Sequence, residues 1–247
     1  MSTAENRKTE TMIETRNLGS YFGDVKAVDG VSFSVQRGEV LGFLGPNGAG
    51  KSTTMKLITC FLTPNFGTAL VGGFDVQTAS REVRKLIGYL PENAPLYGEM
   101  RVVEFLRFIA EVRGLSVAAR ESAVERVVNL ATLASVVDRR VENLSKGFKR
   151  RVGLAQALIH DPEILILDEP TDGLDPNQKH EVRALISSMA EKKCIVLSTH
   201  ILEEVDAVCT HAIIIARGKV VADGTPAELK GKNPVRELDA VFREITQ

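Results

Sequence analysis

Tryptophan is absent from this chain of 247 residues, and aromatic residues make up only 5% of it. An excess of positive charge is missing too, because 31 lysines and arginines stand against 32 aspartates and glutamates. Proteins that hold nucleic acid use a basic surface, aromatic side chains that stack on bases, or both. The composition therefore argues against nucleic acid as the main partner.

Cysteine is scarce as well. The three cysteines, Cys60, Cys194 and Cys209, are far apart in the chain and have apolar neighbours. An odd, scattered set of this kind is not a disulfide framework, and its spacing is not that of a metal site. We expect reduced thiols in the core of a cytosolic protein.

Long apolar runs are also missing. A helix that crosses a bilayer needs about 20 apolar residues, whereas runs such as 164–167 and 213–216 have the length of buried strands. The first twelve residues are polar and lack the apolar segment of a signal peptide. We expect residues 1–12 to form a flexible tail.

The apolar pattern predicts an α/β fold. Residues 13–35 alternate like an antiparallel β region, and residues 39–44 form a short strand that runs into a glycine-rich loop. A helix is predicted over 52–61, and two amphipathic stripes predict a helical subdomain over about 95–145.

Strands and helices then alternate to the end of the pattern. We predict helices over 149–158, 175–190 and 201–208, strands over 164–167 and 194–198, and a hairpin over 212–223. Such alternation implies a mainly parallel sheet covered on both faces. The predicted domain covers residues 13–226, followed by a short C-terminal tail at 227–247.

The glycine-rich loop reads GPNGAGKST over residues 45–53 and matches the pattern G-x-x-x-x-G-K-[ST]. Backbone N–H groups of such a loop surround phosphates at the N-terminus of a helix, where bulky side chains would be in the way. The pattern predicts that Lys51 reaches the β- and γ-phosphates and that the Ser52 hydroxyl binds Mg²⁺. The predicted nucleotide-binding residues here are Gly45, Pro46, Asn47, Gly48, Ala49, Gly50, Lys51, Ser52 and Thr53.

Two further segments follow in order: LSKGFKRR at 144–151 and LILDEP at 165–170. Together with the glycine-rich loop they resemble the ABC ATPases, the ATP-binding subunits of ABC transporters, over about residues 13–226. The resemblance implies a P-loop NTPase fold of ABC type, with a mainly parallel core, an antiparallel β subdomain and an inserted helical subdomain. It also implies ATP and Mg²⁺ as cofactors.

The resemblance assigns roles to polar residues at strand ends. Asp168 and Glu169 close a buried strand, and alternation points them to different sides. Asp168 corresponds to the aspartate associated with Mg²⁺, Glu169 to the general base, and His200 to the histidine that contacts the γ-phosphate. Glu92 stands where most relatives carry a glutamine that reaches Mg²⁺, and its carboxylate still offers a hard oxygen ligand.

A further set of residues implies a dimer. In ABC proteins the segment that contains Ser145 and Gly147 closes over the ATP of the opposite subunit, and Asp175 belongs to a loop at the same interface. Lys146 and Phe148 replace a glycine and a glutamine of the commoner LSGGQ form. We expect the site to tolerate both changes because Ser145 and Gly147 are kept.

The residue that stacks on adenine is predicted to be Phe22, in place of the usual tyrosine. Tyr21 lies one position away. Phenylalanine keeps the π-face and loses only the hydroxyl, so we expect stacking to persist.

The resemblance implies an ATPase that dimerises on ATP, as a homodimer or heterodimer, and powers a membrane permease carried on a separate chain. Similarity of residues 43–73 and of IGYLPENAPLYGEM to ABC-2-type systems favours export. The expected location is the cytoplasmic face of the membrane, as a peripheral protein. Two alternatives stay open: a soluble ABC ATPase of DNA repair or translation, and a regulatory subunit that hydrolyses ATP weakly.

Overall fold

The computed structural model describes residues 10–230, which form two sheets and a helical segment. The strands are β1 (Thr11–Phe22), β2 (Val25–Gln36), β3 (Val40–Leu44), β4 (Phe66–Val71), β5 (Phe74–Asp75), β6 (Ile87–Leu90), β7 (Ile164–Asp168), β8 (Cys194–Thr199), β9 (His211–Ala216) and β10 (Lys219–Gly224). The helices are α1 (Lys51–Ile58), α2 (Ser80–Leu86), α3 (Val102–Val112), α4 (Val117–Leu130), α5 (Lys146–Leu158), α6 (Pro176–Ala190), α7 (Leu202–Val208) and α8 (Pro226–Lys230).

The larger sheet has the strand order β10-β9-β3-β8-β7-β6. All neighbours in it are parallel except β10, which pairs antiparallel with β9 as the predicted hairpin. Strands β3, β7 and β8 are buried along their whole length, which explains why they read as continuous apolar runs instead of alternating. The predicted parallel core is therefore confirmed.

The smaller sheet is antiparallel, with the order β2-β1-β4-β5. Strands β1 and β2 are the alternating region of the sequence, and their buried face packs on α1 and one face of the larger sheet. Strands β4 and β5, helix α2 and strand β6 were not predicted. Each is short, and none shows a long apolar period.

Helices α3 and α4 form most of the predicted helical subdomain, between β6 and α5. Their apolar stripes, including Phe105, Leu106 and Val127, are buried in one cluster with α5 and the other face of the larger sheet. Packing therefore accounts for these stripes. The subdomain closes with two short 3₁₀ turns before α5.

Several boundaries differ from the predictions. Strand β1 begins at Thr11, inside the predicted tail, and α8 occupies the start of the predicted C-terminal tail. The rest of those two tails, residues 1–9 and 231–247, lies outside the described residues. Helix α1 ends at Ile58, before the predicted end at Phe61, because Cys60 takes a positive φ of 59°.

The cysteines are free thiols, but only Cys194 lies in the core as predicted, since Cys60 and Cys209 are half-buried. Cys194 is fully buried in β8, and burial raises the pKa of its thiol. Among residues 10–230, no helix is long and apolar enough to cross a membrane.

Candidate functional site

The glycine-rich loop, Asp168, Glu169 and His200 meet at the carboxyl ends of strands in the larger sheet. Strands β3, β8 and β7 are parallel neighbours, and their register places Leu44 beside Thr199 and Asp168 beside Ser198. Their carboxyl ends therefore lie side by side, where ligands of open α/β sheets bind. The glycine-rich loop follows β3, Glu169 follows β7, and His200 follows β8.

The glycine-rich loop joins β3 to α1. Gly50, just before α1, has a φ of 107°, and a Cβ added to it would lie 2.3 Å from the backbone oxygen of Ala27. Only glycine fits this conformation and this close approach. The loop therefore presents the N-terminal N–H groups of α1 toward the open edge of the sheet, as anion binding requires.

Lys51 is buried at the start of α1, and its side chain turns back over the loop. Its Nζ donates to the carbonyl of Gly45 at 2.6 Å and to that of Pro46 at 3.3 Å, and lies 3.8 Å from Glu169 Oε1. Burial lowers the pKa of Lys51, while Glu169 and Asp168 oppose this effect by charge. The ammonium group is thus held beside the glycine-rich loop by hydrogen bonds to neutral carbonyl groups, which an anion can replace.

Ser52 and Asp168 form a pair of hard oxygen donors. Ser52 Oγ donates to Asp168 Oδ1 at 3.1 Å, and the Ser198 hydroxyl also donates to that oxygen. Mg²⁺ is bound by one or two carboxylates, water and substrate phosphates, so this hydroxyl–carboxylate pair fits it. Residues 10–230 contain no group of three or more His, Cys, Asp or Glu side chains that would form a metal site without a nucleotide.

Glu169 occupies the turn immediately after β7. Its φ is 51°, and its backbone N–H is held by Ser198. Asp168 contacts Ser52 and Ser198, whereas Glu169 faces Lys51 and His200, so the two carboxylates contact different groups. A positive φ in a residue other than glycine is costly and is found disproportionately at functional sites.

The ring of His200 is hydrogen-bonded to Glu169. Nδ1 donates to Glu169 Oε2 at 3.0 Å, which leaves Nε2 for another partner. Burial raises the pKa of Glu169, while the hydrogen bond and charge of His200 and the charge of Lys51 oppose the rise. A carboxylate with a raised pKa is a stronger base, as proton abstraction from water requires.

A cavity of about 610 Å³ lies over this edge. It is lined by Ala27, Pro46, Asn47, Gly48, Ala49, Gly50, Lys51, Ser52, Thr53, Glu92, Glu169, Asp172 and His200. Gly45 and Asp168 lie behind this lining and contact it through Lys51 and Ser52. Asp168 also lines a neighbouring cavity of about 510 Å³, with Ser52 and Glu92.

Ser145, Gly147 and Asp175 are not among the lining residues of that cavity. Ser145 caps α5 by accepting from the N–H of Phe148 at 3.3 Å, and Asp175 caps α6 by accepting from that of Gln178 at 2.9 Å. Gly147 lies against the side chain of Gln178, so the starts of α5 and α6 adjoin each other. These residues therefore adjoin one another outside the lining of that cavity.

Phe22 lies at the end of β1 and is 54% exposed, outside the lining of the cavity. Tyr21 packs against Phe66 with ring centroids 5.4 Å apart, and its hydroxyl points to Asp29. The ring and the hydroxyl of Tyr21 are therefore already engaged in contacts within the chain. Phe22 is the aromatic ring of this pair that is exposed for stacking, and its role stays a prediction.

Sequence reasoning missed two residues near the site. Asp172 lines the cavity and pairs with Lys146 at 3.1 Å. Arg150, in the helix after Ser145, donates to the backbone carbonyls of Pro91, Glu92, Asp168, Glu169 and Pro170. The sequence carries no local signal for Arg150, because its neighbours Lys149 and Arg151 are also cations and a helix can expose such a run to solvent.

Together, the parallel sheet, the glycine-rich loop and the carboxylates at the neighbouring strand end define a P-loop nucleotide-binding domain. Comparison with known proteins narrows this class. The family model described as "ABC transporter" matches residues 28–172, more than half of the chain. The chain therefore belongs to the ABC transporter family, and the predicted ABC ATPase class is confirmed.

Individual relatives agree with this assignment. The chain is 42% identical over 234 residues to the probable multidrug ABC transporter ATP-binding protein YbhF of Escherichia coli (strain K12), covering 94% of this chain and 40% of YbhF. It is 39% identical over 218 residues to the Nod factor export ATP-binding protein I of Burkholderia lata, covering 88% and 72% of the two chains. The chain thus spans less than half of YbhF and most of the Nod factor protein.

A solved structure described as the ATP-binding subunit of an ABC transporter superimposes with a TM-score of 0.87 at 32% identity. The match covers 96% of this chain and all of the other. The predicted ABC-type fold is therefore confirmed.

Proposed function

We propose that this chain binds ATP with Mg²⁺ at the sheet edge, hydrolyses it in a dimer and drives export through a membrane permease on a separate chain. One observation carries the proposal. Polar residues from three distant parts of the sequence meet around one cavity, namely Lys51, Ser52, Asp168, Glu169 and His200.

Each group in the cavity has a role in phosphoryl transfer. The loop N–H groups and Lys51 hold the phosphates, and Lys51 exchanges its carbonyl partners for phosphate oxygens. Ser52 and Asp168, with Glu92 nearby, are the residues that would hold Mg²⁺. When bound, the ion supplies positive charge that neutralises the phosphates.

Hydrolysis is assigned to Glu169 and His200. Glu169 accepts a proton from water as the water oxygen bonds to the γ-phosphorus and the bond to the β–γ bridging oxygen breaks. His200 keeps the carboxylate oriented through Nδ1 at 3.0 Å and has Nε2 free for a phosphate oxygen. A positioned general base typically contributes about 10²–10⁴-fold in rate.

A second copy or a paralogue completes the site. Ser145, Gly147 and Asp175 lie at the adjoining starts of α5 and α6, outside the lining of the cavity of their own chain. We place these residues at the ATP of the partner subunit, so that two ATPs are enclosed in a head-to-tail dimer. Phe22, exposed at the end of β1, is the proposed adenine-stacking residue.

Export through a permease is supported by the relatives. The names of two of them describe multidrug transport and Nod factor export. These names do not identify the substrate that this chain would help to export, because selectivity in such systems lies in the membrane subunit. A peripheral position on the cytoplasmic face of the membrane follows from this role.

The test is Glu169→Gln. The substitution removes the base and keeps its shape, so ATP turnover should fall by at least about 100-fold while ATP binding is retained. With ATP and Mg²⁺ the variant should elute as a dimer in size-exclusion chromatography with light scattering. Glu125→Gln, an exposed glutamate on α4, is the matched control and should behave like the wild type.

Transport itself is tested by affinity purification of tagged Glu169→Gln with ATP from detergent-solubilised source membranes. Recovery of a polytopic membrane protein supports the permease. Recovery of only soluble partners, ribosomes or DNA would overturn the transport role and favour a soluble ABC ATPase. Wild-type turnover indistinguishable from that of Glu169→Gln would instead indicate a regulatory subunit.

A further inference from the structure

Arg150 lies in the second turn of α5 and is buried, with 8% of its surface exposed. A guanidinium group has five N–H donors, and Arg150 makes five hydrogen bonds to backbone carbonyls. Nη1 donates to Pro91 at 2.8 Å and Glu92 at 2.7 Å, Nη2 to Asp168 and, at 2.6 Å, to Glu169, and Nε to Pro170 at 3.3 Å.

Within residues 10–230 the acceptors are peptide carbonyls, and no carboxylate accepts a hydrogen bond from this buried charge. Burial lowers the pKa of Arg150, and the charges of Asp168, Asp172, Glu169 and Glu92 oppose that effect. A buried cation of this kind is costly unless it is fully hydrogen-bonded. The complete use of its donors therefore indicates that the backbone around it is held in one arrangement.

The five carbonyls belong to two segments that carry the polar residues of the site. Residues 91–92 follow β6 and include Glu92, and residues 168–170 close β7 and include Asp168 and Glu169. Glu169 has a positive φ and follows the end of β7. Arg150 satisfies the carbonyls of this turn and joins it to the loop after β6.

We infer that Arg150 is a positioning residue for ATP hydrolysis: its guanidinium fork fixes the backbone of Glu169 relative to the Glu92 loop and to helix α5. This inference rests on the proposed ATPase function, because the fixed turn carries the proposed base. Within residues 10–230, the hydrogen bonds of Arg150 go to the two strand ends and not to the glycine-rich loop, so we expect its main effect to be on turnover.

The test compares Arg150→Lys with Arg126→Lys. Lysine keeps the charge of Arg150 but has no planar fork and cannot hold both segments at once. Arg126 is a matched control, because its Nη2 also donates to two backbone carbonyls, Leu158 at 3.1 Å and Ile159 at 3.0 Å, at the far end of α5. Arg150→Gln is a second variant that lacks the charge but retains two donors.

Arg150→Lys should lower kcat by about 10- to 100-fold, the scale expected when a reacting group is misplaced by about an ångström. The dissociation constant for a fluorescent ATP analogue should stay within about twofold of the wild type. Arg126→Lys should change neither quantity. Hydrogen–deuterium exchange without nucleotide should rise at residues 91–95 and 168–172 in Arg150→Lys and not in Arg126→Lys.

Three outcomes would overturn the inference. The first is a kcat within twofold of the wild type in both Arg150→Lys and Arg150→Gln. The second is a loss of kcat in Arg150→Lys equal to the loss in Arg126→Lys. The third is unchanged hydrogen–deuterium exchange in both segments of Arg150→Lys. The exchange measurement separates this inference from the proposed function, since it does not need hydrolysis. A wild-type chain without ATPase activity would refute the proposed function, while the exchange result would still decide whether Arg150 holds the two segments.

Discussion

Replacing His160 by glutamine should remove part of the acid sensitivity of the fold. His160 lies in the connection between α5 and β7, where Nε2 donates to the backbone carbonyl of Ile87 at 3.2 Å. Its Nδ1 is buried and, within residues 10–230, has no hydrogen-bond partner. Burial lowers the pKa of His160 to about 4, and the charges of Arg113, Lys193 and Arg126 add to this effect.

The sign and size follow from the two pKa values. An unfolded histidine titrates near pH 6.5, so between pH 6.5 and 4 the unfolded chain binds a proton that the folded chain excludes. The contribution of His160 to stability is therefore fully present above pH 6.5 and is lost as the pH falls toward 4. The full difference between the two pKa values corresponds to about 3 kcal/mol in the free energy of unfolding. Of this contribution, about 2 kcal/mol is lost between pH 7.5 and pH 5.

The assay is urea unfolding of the nucleotide-free protein at pH 7.5 and pH 5, with the free energy obtained by linear extrapolation. Glutamine retains a donor for Ile87 and does not titrate, so His160→Gln should lose about 2 kcal/mol less than the wild type over this interval. His180→Gln, at an exposed position on α6, is the control and should follow the wild type. Equal losses in wild type and His160→Gln, within about 0.5 kcal/mol, would refute the reasoning.

Two further predictions concern the phosphate loop. Lys51→Ala should weaken ATP binding by about 10- to 100-fold, the size of a lost charge-assisted hydrogen bond, and should stop hydrolysis. Isothermal titration calorimetry measures the affinity and phosphate release measures the hydrolysis. Unaltered affinity would contradict the proposed role of Lys51. Gly50→Ala should destabilise the fold by more than the roughly 1–2 kcal/mol that a left-handed residue costs, because its Cβ would also lie 2.3 Å from the carbonyl of Ala27. Gly48→Ala, where φ is 80° but nothing lies within 4 Å of the added Cβ, should show the conformational cost alone; equal unfolding midpoints for the two variants would argue against the close approach.

The sequence predicted the part of the site that depends on local order. Strand, glycine-rich loop and helix follow one another in the chain, so a phosphate-binding loop over Gly45 to Thr53 could be predicted without the fold. Asp175 and Pro176 likewise marked the start of α6, because an N-cap followed by proline is a local signal. The elements that escaped prediction, β4 to β6, α2 and α8, are two to seven residues long, too short for a clear apolar period.

Contacts between distant segments could not be predicted in this way. Pairing of Ser52 with Asp168 and of Glu169 with His200 depends on β8 lying between β3 and β7, an order that no local pattern specifies. The resemblance to ABC ATPases predicted these residues because a family resemblance implies the fold, and with it the order of the strands. It assigned no role to Arg150, whose sequence neighbours are polar.

The position of Arg150 changes how the helical subdomain is understood. Its apolar stripes explain why α3 and α4 pack on α5, but not why the charged face of α5 turns inward at the second turn. The five carbonyls that accept from Arg150 supply the reason, because they lie at two neighbouring strand ends within reach of one guanidinium group. A cation on α5 satisfies them all, and the orientation of α5 is thereby tied to the backbone that carries Glu92, Asp168 and Glu169. In the proposed dimer, a movement of the segment that contains Ser145 and Gly147 would therefore also move the backbone that carries the proposed base.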